Sequence, residues 1–175
     1  DDATGRHITR INAYSELLSS LSGAEKDFIE NIASFAQLHD IGKIKVAEII
    51  RLPRKLTESE FNLVKRHTTD GGKIVKGLDG LEMAYDIIMD HHEKWDGSGY
   101  PQGKKGEEIS LAGRIVAIVD VFDALVSERP YKRAFEYHEA RQVMTEGDGR
   151  VMPGHFDPQL LQVFLGNFDL FVEIH

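Results

Sequence analysis

From Ile8 the apolar positions fall at Ile8, Ile11, Tyr14, Leu17, Leu18 and Leu21, mostly on the i, i+3, i+4, i+7 spacing of an amphipathic helix, and Gly23 supplies a stop. A second helix from about Ala24 to Leu38 uses Phe28, Ile32, Phe35 and Leu38. Thr57-Glu58-Ser59-Glu60 matches a capping box, in which the Thr57 hydroxyl serves one exposed amide and Glu60 another, and a helix should follow through Val64 to about Val75. Another spans about Leu81 to His91. Residues 95–109 contain four glycines and a proline, the composition of a loop. Ser110 caps a long helix carrying Ile115, Val116, Ile118, Val119, Phe122 and Leu125. Ile115–Val119 alone has strand propensity, but its flanks favour one buried helix. Tyr137 to Glu146 reads as a shorter helix, and Asp157-Pro158, an N-cap followed by Pro at the first helical position, opens a last one through Leu165. With no repeat, low-complexity tract or linker, the pattern predicts one all-α domain over residues 1–175.

Composition narrows the function classes. Hydrophobic residues are 41% and charged residues 29%, as in a globular chain. Asp plus Glu outnumber Lys plus Arg by 29 to 21, a net charge of −8, which argues against a DNA or RNA binder but leaves room for a small phosphate ligand. The absence of cysteine removes disulfides, thiolate metal sites and Cys nucleophiles, and fits a cytoplasmic location. No apolar run approaches the ~18 residues of a membrane span. The opening Asp1-Asp2-Ala3-Thr4 has no signal-peptide pattern and predicts a piece of a longer chain with an upstream regulatory region or partner.

The chemistry lies in eight histidines and their acidic neighbours. His7, His39-Asp40, His67, His91-His92 and Asp120 each lie in or beside a predicted helix. Without thiolates, imidazole and carboxylate are the available ligands, suited to Zn, Fe, Mn or Ni. Adjacent side chains on a helix diverge by about 100°, so His-Asp and His-His pairs share one site only at a helix end or by serving different ions. Asp40 has two oxygens and can bridge two ions, an arrangement suited to metal-assisted attack on a phosphate. Other readings stay open: a lone His7 or His67 is commonly hydrogen-bonded or solvated, and His91-His92 fits a helix C-terminus that favours cationic rings. Asp120, within the apolar run Ile115 to Phe122, demands a cation or a strong donor. The loop with Gly97, Gly99, Pro101 and Gly103 is either a surface turn or a cover that presents Tyr100 to a site. Arg129-Pro130-Tyr131-Lys132-Arg133 is either a solvated turn or a cationic cluster sized for one or two phosphates.

These residues resemble a known family. His39-Asp40-Ile41-Gly42-Lys43 resembles the HD signature of metal-dependent phosphohydrolases, and His91-His92-Glu93 with Asp96-Gly97-Ser98-Gly99-Tyr100-Pro101 resembles the element that marks the HD-GYP subfamily. Thr4-Gly5-Arg6-His7, Lys55-Leu56-Thr57, His67, Asp120-Val121-Phe122-Asp123-Ala124-Leu125, Arg129-Pro130-Tyr131-Lys132 and Phe156-Asp157-Pro158 follow in family order, so the resemblance covers about residues 4–165. It implies an all-helical HD bundle and a phosphodiesterase of the bacterial signalling molecule cyclic di-GMP. It also implies a centre of two or three ions, commonly iron or manganese, with nickel, zinc or magnesium as further candidates. Carried over by position, one ion takes His7, His39, Asp40 and Asp120, and the other takes Asp40, His67, His91 and His92, with Asp40 bridging. Lys43 would face the scissile phosphate, and Tyr100, Arg129 and Lys132 would hold the substrate, with Asp123 nearby.

Trinuclear members have an acidic residue four positions before the first His. Ala3 stands there, so two ions are expected and a third is not. The segment after Lys43 also lacks the family's proline, which alters only a turn. Two cations lower the pKa of a shared water, and the hydroxide attacks phosphorus in line while Lys43 and Arg129 stabilise the added charge. The expected first product is pGpG, with a second cut to GMP left open. The alternatives are an HD hydrolase of another nucleotide and a catalytically silent module that binds cyclic dinucleotides. The Tyr100 loop and the Arg129–Lys132 cluster argue against the first, and the full dinuclear ligand set argues against the second.

Overall fold

The computed structural model describes residues 2–128 and 133–175, with side chains from residue 5 onward. The regular elements of the described residues are all helical: α1 (Asp2–Leu21), α2 (Lys26–Phe35), α3 (Ala47–Ile50), α4 (Glu58–Lys65), α5 (His67–Val75), α6 (Glu82–Asp90), α7 (Leu111–Val126), α8 (Tyr137–Glu146), α9 (Pro158–Gly166) and α10 (Phe168–Ile174). Short 3-10 turns at Ala36–Leu38, Ile41–Val46, Gly106–Glu108 and Pro153–His155 link them. Three starts follow the capping chemistry of the sequence. The Glu60 carboxylate accepts the Thr57 amide at 2.8 Å, Ser110 Oγ accepts the Gly113 amide at 3.1 Å, and Asp157 accepts the amides of Gln159 and Leu160.

Helix α7 is the central element. Its Ile115, Val116, Ile118, Val119 and Phe122 are wholly buried, the pattern of a helix covered on nearly all sides. Against it pack Ile11, Tyr14 and Leu18 of α1, Ile87 of α6, Phe164 of α9, and Phe168 and Phe171 of α10. Phe122 meets Tyr14 and Phe164 edge to face, with ring centroids 5.5 and 5.3 Å apart. Each fully buried side chain of this kind contributes about 1.5–3 kcal/mol of transfer free energy. No helix among the described residues is long and apolar enough to cross a membrane.

Three departures from the sequence pattern bear on the site. The helix expected from residue 57 to 75 is broken at Arg66 into α4 and α5, although nothing there is Gly or Pro. The Val64 carbonyl at the end of α4 accepts the His67 ring Nδ1–H at 2.7 Å, so a side chain takes a place in the turn. Beyond α2 the chain tightens into 3-10 turns, and Asp40 and Lys43 stand on these rather than on a regular helix. Helix α10 follows Asn167, past the expected end of the pattern.

The turn Ile41–Val46 lies so close to α5 that a Cβ built on Gly42 would come 2.6 Å from the Gly71 amide nitrogen, and closer still to the His67 carbonyl oxygen. Glycine at both Gly42 and Gly71 lets two backbones meet, which brings Asp40 and His67 together.

Candidate metal centre

Five elements send side chains to one point between α1, α5, α6 and α7. His7 comes from α1, His39 and Asp40 from the tight turns after α2, His67 from the first residue of α5, His91 and His92 from just past α6, and Asp120 from α7. Helix α6 ends at Asp90, so His91 and His92 lie on the exit of the helix, where neighbouring side chains can converge. Donor atoms of Asp40, His67, His91 and His92 lie within 4.8 Å of one another, as do those of His7, His39 and Asp40. Asp40 belongs to both groups. Its Oδ1 is 3.4 Å from His67 Nε2 and 3.7 Å from His91 Nε2, while its Oδ2 is 3.3 Å from His39 Nε2. Asp120 Oδ1 stands 3.9 Å from both His7 Nε2 and His39 Nε2.

The protonation of three rings follows from the backbone. His39 Nδ1 lies 2.8 Å from the Ala36 carbonyl, His67 Nδ1 2.7 Å from that of Val64, and His91 Nδ1 3.0 Å from that of Ile87. A carbonyl only accepts, so each Nδ1 carries a proton and Nε2 is the ring atom left to face the site. His67 Nε2 and His91 Nε2 face each other at 3.3 Å, close enough for one cation to take both. His39 Nε2 and Asp40 Oδ1 are likewise buried without a hydrogen-bond partner. Two ligands of one ion, bonded at ~2.0–2.2 Å, sit roughly 3 Å apart when adjacent and up to ~4.4 Å apart when opposite. The side chains present therefore fit a divalent cation at an all N/O site.

Electrostatics agree. Burial, reinforced by the neighbouring His91, pulls His67 down to about 4 and holds His92 well below the ordinary imidazole range, so both are neutral ligands at pH 7. Burial works against ionisation of Asp40, yet His39, His91 and Lys43 hold its carboxyl well below the usual range. His39 differs: burial opposes its charged form, but Asp40 outweighs burial and raises its pKa, so this ring must give up a proton to take an ion. The Lys43 ammonium is paired with Asp40 Oδ2.

Asp123 differs from its expected role beside the substrate. It is buried, and its carboxylate is fully engaged. His7 Nδ1 donates to Oδ2 at 2.8 Å, Arg10 Nε to Oδ1 at 2.5 Å and Arg10 Nη2 to Oδ2 at 3.1 Å. Burial opposes its ionisation, but the bonds from His7 and Arg10 bring it down to about 2. With its Nδ1 occupied by Asp123, the His7 ring points Nε2 towards Asp120, so Asp123 orients a ring in the site. Arg10 was not singled out from sequence. Its spacing of i+3 from His7, on one helix face, was the available signal.

Tyr100 lies against the cluster, its ring 4.8 Å from that of His92 and inclined by 32°. Burial, then the charges of Asp40 and Asp120, raises its pKa, so the hydroxyl remains a donor. The loop that carries it is tied down. Buried Glu93 accepts the Gln102 amide at 2.7 Å and the Lys104 amide at 3.0 Å, and buried Asp90 accepts Lys104 Nζ at 2.7 Å and the Ser110 amide at 2.9 Å. Glu93 and Asp90 are thus structural anchors of the site that sequence reasoning did not separate from their neighbours. Arg129 and Lys132 lie outside the described residues, as does the side chain of Ala3.

A family model described as HD domain matches residues 2–160. A protein of Vibrio cholerae serotype O1 named cyclic di-GMP phosphodiesterase is 37% identical over 190 residues, covering 99% of this chain and 38% of the relative. A second protein of that organism, named 3'3'-cGAMP-specific phosphodiesterase 2, is 36% identical over 174 residues, covering 98% of this chain and 33% of the relative. Among solved structures, an HDG"Y"P protein from Bdellovibrio bacteriovorus shares the fold with a TM-score of 0.70 at 18% identity, over 93% of this chain and 51% of that one. The chain spans well under half the length of these two curated relatives.

Proposed function

The chain belongs to the HD domain family, in its HD-GYP branch, and from that premise we propose that it is a metal-dependent phosphodiesterase that opens cyclic di-GMP to pGpG. The observation that carries the reading is Asp40, whose two oxygens face different imidazoles, Oδ1 towards His67 and His91 and Oδ2 towards His39. In this reading His7, His39, Asp40 and Asp120 hold one divalent ion, and Asp40, His67, His91 and His92 hold the other. Iron or manganese is the assignment that the family resemblance implies and that imidazole and carboxylate donors accept, and Ala3 is the reason to count two ions rather than three. Bound there, the ions supply Lewis acidity and bring the pKa of water towards neutrality.

The chain's own groups do the rest. Lys43, paired with Asp40 and partly exposed, turns to a non-bridging or leaving oxygen of the phosphodiester and offsets the charge gained in the transition state. Tyr100 donates its hydroxyl to the substrate from a ring fixed against His92. Arg129 and Lys132 are assigned to the substrate's phosphates or guanine edges. The reaction is placed in the cytoplasm, within a longer protein under upstream control.

Purified chain loaded with Fe(II) or Mn(II) should convert cyclic di-GMP to pGpG, and a chelator should stop it until metal is returned. A loaded chain that leaves cyclic di-GMP intact refutes the reading. Preferential cleavage of 3'3'-cGAMP in the same assay would move the substrate to that of the second relative.

A further inference from the structure

The mouth of the centre carries a cation and an aromatic ring with no part in the reaction outlined so far. Phe61 and Lys65 are one turn apart on α4, on one helix face, and α4 packs against both α5 and the turn that carries Lys43. The Lys65 ammonium lies 5.4 Å from the centroid of Phe61 and 5.8 Å from that of Tyr100. It thus stands at the rim between an outer ring and the ring stacked on His92. Phe61 is 49% exposed, a large apolar surface left open to water. Lys65 is partly buried, yet among the described residues no carboxylate comes within 4.0 Å of it, although the chain carries a net charge of −8. An ammonium held over aromatic faces beside a phosphodiester site, with no carboxylate partner among the described residues, keeps its donors free for a ligand.

We infer that Phe61 and Lys65 form a guanine-binding subsite at the rim of the metal centre. The inference rests on the proposed reading that the substrate is a cyclic dinucleotide. An exposed Phe face stacks any base and so contributes affinity without choosing between bases. Selection falls to Lys65. Guanine offers O6 and N7 as adjacent acceptors on one edge, the pair that a lysine donates to in other nucleic-acid contacts. Adenine replaces O6 with an amino donor, which an ammonium repels. With one phosphate at the metal centre, the base attached to that nucleotide lies towards the rim, where Lys65 and Phe61 meet it.

The test uses the metal-loaded chain and its Lys65→Met and Phe61→Ala variants, with cyclic di-GMP as substrate and cyclic di-AMP as competitor. Metal content is measured alongside. Both side chains are at least partly exposed, so the variants should fold and keep their metal. Lys65→Met should raise KM for cyclic di-GMP about tenfold, keep kcat within about twofold, and leave Ki for cyclic di-AMP unchanged or tighter. Phe61→Ala should weaken both dinucleotides by similar factors. KM unchanged in both variants overturns the subsite, as does an equal loss for both dinucleotides in Lys65→Met. Loss of metal or of kcat in parallel with KM overturns it in favour of a structural role. Failure of the loaded wild-type chain to turn over cyclic di-GMP overturns the parent reading instead.

Discussion

Gly42→Ala adds one carbon at the point where the Asp40–Lys43 turn meets α5. That carbon would lie 2.6 Å from the Gly71 nitrogen and 2.8 Å from the His67 carbonyl carbon. The His67 carbonyl oxygen would be closer still; ordinary contact begins near ~3.4 Å, and the neighbours are backbone, so the turn and α5 must part by roughly 1.5 Å. Two costs follow. Overpacking of this kind is worth about 1–3 kcal/mol, against which alanine's smaller unfolded-state entropy returns at most about 1 kcal/mol. For a chain of this size the net, about 0–3 kcal/mol, corresponds to a fall in Tm of up to about 12 °C. The second cost falls on the site. Asp40 Oδ1 and His67 Nε2 are 3.4 Å apart, within the span of one ion's ligands. A further ~1.5 Å takes them beyond it, and the ion shared by Asp40, His67, His91 and His92 should be lost first. Thermal unfolding and elemental analysis of the same preparation read both effects. Gly5→Ala, where an added Cβ meets nothing within 4 Å, is the control and should be neutral or up to about 1 kcal/mol stabilising. A Gly42→Ala chain with wild-type Tm and a full metal complement would refute the reasoning.

Other consequences are open to direct measurement. Asp40→Ala should lose both ions and His67→Ala mainly one, by elemental analysis; normal metal content and turnover in Asp40→Ala would contradict the bridging role. Arg10→Ala breaks a two-pronged contact to buried Asp123 and should cost about 1.5–3 kcal/mol in urea unfolding, together with weaker metal retention through His7. The depressed pKa of Asp123, about 2, means that its contribution is complete above the unfolded value of ~3.9 and disappears as pH falls through the folded one. Between pH 5 and pH 2.5, metal-free wild type should therefore lose more stability than Asp123→Asn, and parallel curves would show that the carboxylate is not held as its contacts imply. Arg129→Ala should raise KM for cyclic di-GMP roughly tenfold with little change in kcat, an unchanged KM marking a solvated turn. If Ala3 limits the centre to two ions, pGpG should accumulate, and rapid conversion to GMP would contradict it.

Elements with strong local signals were legible from sequence. The capping box at Thr57, the Ser110 cap and the Asp157-Pro158 start all mark helices in the structure, because each is a contact between residues two or three apart. The break at Arg66 was not, because it depends on where the His67 ring goes and leaves Arg66 itself with ordinary helical angles. The site's residue types were legible, and the structure brings His7, His39, Asp40, His67, His91, His92 and Asp120 together. Their supports were less so. Asp123 reads from sequence as one more polar group of the site, and only the fold, by placing α1 beside α7, gives it Arg10 and His7 as partners. Glu93 and Asp90 do their work through amides of a loop whose path no periodicity describes.

His39, His67 and His91 each lean on a carbonyl three or four residues earlier in the chain. Their aim is therefore set within a single turn of backbone. For these three rings the cavity is a socket rather than a clasp, in which each prong carries its own bracket and no ion has to draw it into line. Removing the ion should leave the prongs where they stand, so exchange of one divalent metal for another needs little rearrangement. Such a socket discriminates weakly among ions that accept nitrogen and oxygen donors, and its occupant is decided largely by which metal the surroundings supply.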